Sequence, residues 1–153
     1  MAVCNANDVA DYLINFAREH GDYLTPLKLQ KLVFYADAWH MVVKSGQELI
    51  PDRFEAWVHG PVVRSIYQRF NHYRWNPITE ELPASNLAEE TADFLNEVYK
   101  VFGGFSGYEL EQLTHQEEPW KTARGMLPAD ASCTEMIDKD LTRRFYTQMS
   151  AAQ

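Results

Sequence analysis

The stretch TPLKLQKLVFYADAWHMVVK, Thr25 to Lys44, decides the fold. Thr25–Pro26 sets a hydroxyl cap before a proline at the first helical position, where proline loses no hydrogen bond. Ser45–Gly46 supplies the stop. Between them Leu29, Leu32, Val33, Ala36, Trp39 and Val43 repeat at helical spacing on one face. Phe34, Ala38, Met41 and Val42 occupy much of the other. A helix apolar on most sides has to be surrounded, so this segment is expected to be the central helix of the domain.

Working outward, the same periodicity predicts a first helix near Asn7–His20. Its inward stripe is Val9, Leu13, Phe16, Ala17 and His20, with Asp11, Arg18 and Glu19 turned outward. Downstream, Gln47–Val58 changes character. Leu49–Ile50, a turn at Pro51–Asp52, and Phe54, Ala56 and Val58 alternating with Glu55 and Trp57 read as a small hairpin. Gly60 is expected at positive φ, with Pro61 opening a third helix to about Tyr73. After the loop RWNPITEELPAS, a fourth helix is expected from Asn86, with Glu89 completing a capping box, to Gly103–Gly104. Ser106 caps a fifth, which halts before Pro119 and leaves a short turn through Trp120–Arg124. A sixth is expected over Thr134–Met149. The sum is a mainly α (α+β) single domain over residues 1–153: about six helices, with a short antiparallel sheet between the second and third. Trp39, Trp57 and Trp120 are expected as core anchors.

A chain of 153 residues has room for one core. The start MAVCNANDVADYL has no basic leader, and the richest apolar run is too short to span a bilayer. No membrane association and a cytoplasmic location are therefore expected. The net charge of −8 is unevenly spread. Residues 1–78 hold eight acids and eight Lys and Arg, whereas residues 79–153 hold fourteen acids against six. An acidic half repels phosphate backbones and attracts basic partners, which disfavours nucleic acid as a partner. The basic stretch Arg64, Arg69, His72 and Arg74 reads as a solvated helix face.

Searches for chemistry find little. The five histidines never fall as HxxxH or HExxH, Cys4 and Cys133 stand far apart, and no metal or cofactor is expected. There is no GxSxG, GxGxxG or P-loop spacing. LTHQEEPWKTAR (Leu113–Arg124) places His115 near Glu117 and Glu118. A histidine there also serves as a helix-end group on the last carbonyls, with Trp120 folding back onto the core. No catalytic residue is assigned.

Three stretches carry a resemblance: TPLKLQKLVFYADAW (Thr25–Trp39), FEAWVHGPVVRSIYQRF (Phe54–Phe70) and LEQLTHQEEPWKTAR (Leu110–Arg124). In this order and spacing they resemble the signature blocks of the Panacea domain, the SocA-like antitoxin domain also met in prophage-associated GepA proteins. The resemblance runs over roughly residues 8–147. It implies a mostly helical fold with a small β element, and an antitoxin that neutralises a co-encoded toxin by direct binding. It also leaves room for an adaptor delivering the toxin to an ATP-dependent protease, or for a prophage regulatory protein. It implies no catalytic residue; an enzyme acting through His115 and Glu117 is the remaining alternative. The polar ends of the second and third blocks are the candidate partner-binding residues: His59, Gly60, Pro61, Arg64, Thr114, His115, Glu117 and Lys121.

Overall fold

The computed structural model describes residues 2–152. Among these residues seven α-helices and one two-stranded sheet form: α1 (Ala6–Glu19), α2 (Pro26–Val43), β1 (Glu55–Trp57), β2 (Gly60–Val62), α3 (Arg64–Phe70), α4 (Glu89–Phe102), α5 (Gly107–His115), α6 (Glu118–Arg124) and α7 (Lys139–Ala151). A 3-10 turn, Asn71–Tyr73, extends α3. The mainly α fold with its antiparallel sheet between α2 and α3 is as expected.

Helix α2 is the centre. Thr25 accepts the Lys28 amide, as an N-cap should, and the helix packs against α1, α3, α4, α5, α7 and β2. Its buried residues run all round it, from Leu29, Leu32 and Val33 to Phe34, Ala38 and Met41. The two ends are less covered: Pro26, Leu27 and Lys28 are half-buried, and Val43 is exposed. Trp120 is buried in the core, and Trp39 packs against it half-buried. Trp57 is not a core anchor: it is half-buried and stands edge-on to Tyr67 at the surface. In α1, Asp11 is buried rather than outward, because Arg69 reaches it at 2.5 Å.

Other departures have long-range causes. Leu49–Ile50 is not a strand. The two amides donate to the Asp37 carboxylate of α2 at 3.0 and 3.2 Å, which fixes the segment as an extended loop. The hairpin instead pairs β1 with β2 through the two-residue turn Val58–His59, in the register Glu55 with Val62 and Trp57 with Gly60. Gly60 and Pro61 are therefore strand residues, and α3 opens later, at Arg64. Proline is tolerated because β2 is an edge strand. The other edge of β1 takes residues 135–137: Ala56 donates to the Glu135 carbonyl and Ile137 to that of Phe54. That pairing withdraws Thr134–Ile137 from the expected sixth helix, which starts at an Asp138 cap as α7. Helix α4 begins at Glu89 with no side-chain cap, so the capping box expected at Asn86 is absent. Ser106 and Glu109 form a complete one on α5. Pro119 does not leave a mere turn behind it; it lies in the first turn of α6.

Candidate functional site

The first and second sequence blocks meet where α2 passes under the β-hairpin. Lys31 of α2 is fully buried there, and its Nζ donates to the Pro61 carbonyl at 2.9 Å. Gly60 makes this possible. It sits at φ +105, and a Cβ on it would lie 2.5 Å from Lys31 Cε and 3.0 Å from Thr114 Oγ1. The glycine is thus required twice, for backbone conformation and for room. Burial holds the Lys31 amine at about 7, well below its ordinary range, while the nearby Glu111 carboxylate pulls the other way.

The third block closes the corner from α5. Thr114 is buried and its hydroxyl donates to the Glu111 carbonyl within the helix. Glu111 itself is buried and accepts from His59 Nδ1, at the hairpin turn, at 3.1 Å. His115 lies flat on Trp120, with centroids 4.0 Å apart. Its Nε2 is buried without a hydrogen-bond partner among the described residues, and burial lowers its pKa against the opposing pull of Glu111 and the Val58 carbonyl. Trp120 donates to the Trp57 carbonyl at 2.7 Å, and the Arg124 guanidinium lies over the Trp120 ring, 4.8 Å from its centre, while donating to the Ala56 carbonyl at 2.7 Å. The third block is therefore a buttress for the hairpin.

Five of the eight candidates, His59, Gly60, Pro61, Thr114 and His115, come together in this corner. The other three do not. Arg64 stands across the hairpin, gripping Glu55 with two bonds of 2.9 and 2.6 Å. Glu117 points into the interior, where Oε1 accepts the hydroxyls of Tyr35 and Tyr146 at 2.6 and 2.7 Å. Burial raises its pKa, and the two phenols only partly offset that. Lys121 is exposed on α6, 3.7 Å from Glu118. Lys31 and Glu111, which tie the corner together, were missed in the sequence. One signal was there: a charge on a helix that must be buried on most sides is anomalous.

On the outer side of the same corner lies a cleft of about 600 Å³ between the start of α2, the hairpin, α3 and the loop around Trp75. Its walls are mainly apolar and aromatic, from Trp57, Tyr67 and Trp75. Lys31, His59, Arg64 and Arg74 contribute to the lining, and no carboxylate does. Among the described residues no three His, Cys, Asp or Glu side chains group as a metal site would require. No helix is long and apolar enough to cross a membrane, again among the described residues.

Residues 29–121 match the family model described as antitoxin SocA-like, Panacea domain. The matched span covers α2 after its first turn, the hairpin, α3, α4, α5 and the start of α6, including the whole corner built around Lys31. No curated protein and no solved structure matches the chain.

Proposed function

This chain belongs to the antitoxin SocA-like, Panacea domain family, and from that membership we propose that it binds and silences a toxin encoded beside it. The observation that carries the reading is the family match itself, which takes in the second sequence block and most of the first and third. The protein acts by occupying the toxin and has no turnover chemistry of its own. The two groups best suited to acid–base work support this reading. The Glu117 carboxylate is committed to two tyrosine hydroxyls, and the His115 ring is stacked on Trp120. Each has a structural duty.

Charge supports a basic partner. Glu89, Asp93 and Glu97 recur every four residues along α4, all exposed, with Glu90 beside them. Such a ridge raises the encounter rate with a cationic surface and loses that advantage as salt screens it. His59, Arg64 and Lys121 are the exposed candidates for direct contact. Gly60, Pro61, Thr114 and Glu117 shape the surface from beneath. The test is co-expression of the neighbouring gene alone and together with this one. Growth arrest by the neighbour, relieved by this chain in a host lacking ATP-dependent proteases, is the expected result. A harmless neighbour, or toxicity that persists beside abundant folded protein, overturns the proposal. Rescue that vanishes with the protease replaces occlusion by delivery.

A further inference from the structure

The cleft beside the hairpin differs from the rest of the molecule in charge and in aromatic exposure. The chain carries −8 overall, yet no acid lines this cavity. Of its basic groups, Arg64 is held from behind by Glu55 and His59 by Glu111. The other two are not so held: among the described residues Arg74 makes no ion pair, and the Lys31 amine has the Pro61 carbonyl as its one hydrogen-bond acceptor, with the Glu111 carboxylate beyond ion-pair distance. A buried amine with a single neutral partner is costly to keep, and such groups concentrate at binding sites.

The aromatic side chains are placed for contact, not for the core. Trp75 is 68% exposed and Tyr67 42% exposed. Trp57 is held in place: its indole donates to Glu55 Oε1 at 2.9 Å, and the Arg64 guanidinium lies 5.5 Å from the centre of its ring. A wall fixed in this way loses little entropy on binding. Arg74 precedes Trp75 at φ +56, a backbone region that residues other than glycine seldom adopt. The strain is local and puts an arginine and a tryptophan together on the rim of the cavity.

We propose that this cleft is a binding site for a small planar-ring anion of the mononucleotide class, its ring against Trp57 and Trp75 and its phosphate toward Arg74 and Arg64. A cavity of this size suits one such molecule, and cavities that bind small ligands share its mix of apolar walls and few polar groups. The acidic surface elsewhere repels a polynucleotide but not a single nucleotide entering an acid-free cleft. Stacking on tryptophan and tyrosine tolerates any base, so the ring class is fixed more firmly than the base. The site shares His59 and Arg64 with the contact candidates, and the antitoxin reading neither requires nor excludes it.

The experiment is calorimetric titration of the purified full chain with AMP, GMP, adenosine and inorganic phosphate. AMP and GMP are expected to bind, with adenosine and phosphate each weaker by about tenfold or more. Trp75→Ala and Arg74→Ala alter exposed side chains and should each weaken AMP by about tenfold while leaving the thermal melt in place, since loss of one stacking or charged contact is of that size. Several results overturn the proposal: no nucleotide binding at millimolar concentration, adenosine or phosphate binding as tightly as AMP, or AMP affinity unchanged in both variants. If no nucleotide binds and Trp75→Ala instead abolishes capture of the toxin, the cleft belongs to a protein interface.

Discussion

Helix α2 buries two opposite charges six residues apart, Lys31 and Asp37, and the fold treats them differently. Asp37 accepts the amides of Leu49 and Ile50 and pairs with Lys139 at 3.2 Å, and Lys139 is bound in turn by Glu48 and the Ile50 carbonyl. Both carboxylate oxygens are used, by a loop and by α7, far away in sequence. Lys31 has one carbonyl and a cleft. A buried charge with a full set of partners pins the fold. One with an incomplete set, facing a cavity, is available to a ligand.

The largest effect should come from the satisfied charge. Asp37→Ala leaves two amides without their acceptor and takes from Lys139 one of its two carboxylate partners, and breaking a buried pair from one side typically costs about 3–5 kcal/mol. Chemical denaturation of the variant checks this; a loss below about 1 kcal/mol would remove Asp37 from its role. Gly60→Val comes next. It places a β-branched residue at positive φ and a methyl group into Lys31, for which strain and overpacking together predict a loss of about 2–4 kcal/mol. If Gly60→Val is as stable as the parent, the close approach to Lys31 is not a constraint.

Smaller effects appear in the pH dependence. Burial raises the Glu117 carboxyl above its ordinary 4.5, so its contribution to stability is full below that value and is lost as pH rises through the folded pKa. Glu117→Gln keeps an oxygen for the two tyrosines and should lose about 1 kcal/mol or less while flattening that decline in melting temperature. An unchanged pH profile would contradict the burial of the carboxylate. Lys31→Met should matter least at neutral pH, within about 1 kcal/mol either way, because a buried charge gives way readily to an apolar side chain of similar length. Its mark is again in the slope. The unfolded amine holds its proton up to 10.5 and the folded one only to about 7, so the parent gains stability as pH rises between them. The variant should lack that rise. If Lys31→Met proves as damaging as Asp37→Ala, the contrast between the two charges collapses.

What was legible in the sequence was local. The cap at Thr25–Pro26, the all-round apolar pattern of α2 and the cap at Ser106 needed no distant partner. Gly60 announced its positive φ, although Pro61 beside it proved to be a strand residue. Two of the errors lie where a distant group changes a segment's hydrogen bonding, unlike the box expected at Asn86 and the turn expected through Trp120–Arg124. Asp37 takes the amides of Leu49–Ile50, and β1 recruits residues 135–137 from a segment that reads as helix. The motif residues of the corner were visible as motifs, but their meeting point was not, because a lysine and a glutamate inside helices look like surface residues. In the corner the polar run around His115 stands against the hairpin: His115 stacks on Trp120, and Trp120 donates to the Trp57 carbonyl.

The most direct measurement of the central claim, silencing by binding and not by turnover, is a titration of the purified toxin's activity with this protein. A linear fall reaching zero near one equivalent, with the two proteins recovered intact as a complex, is the predicted result. Complete loss of activity at a small fraction of an equivalent, or loss accompanied by a covalently altered toxin, would contradict it.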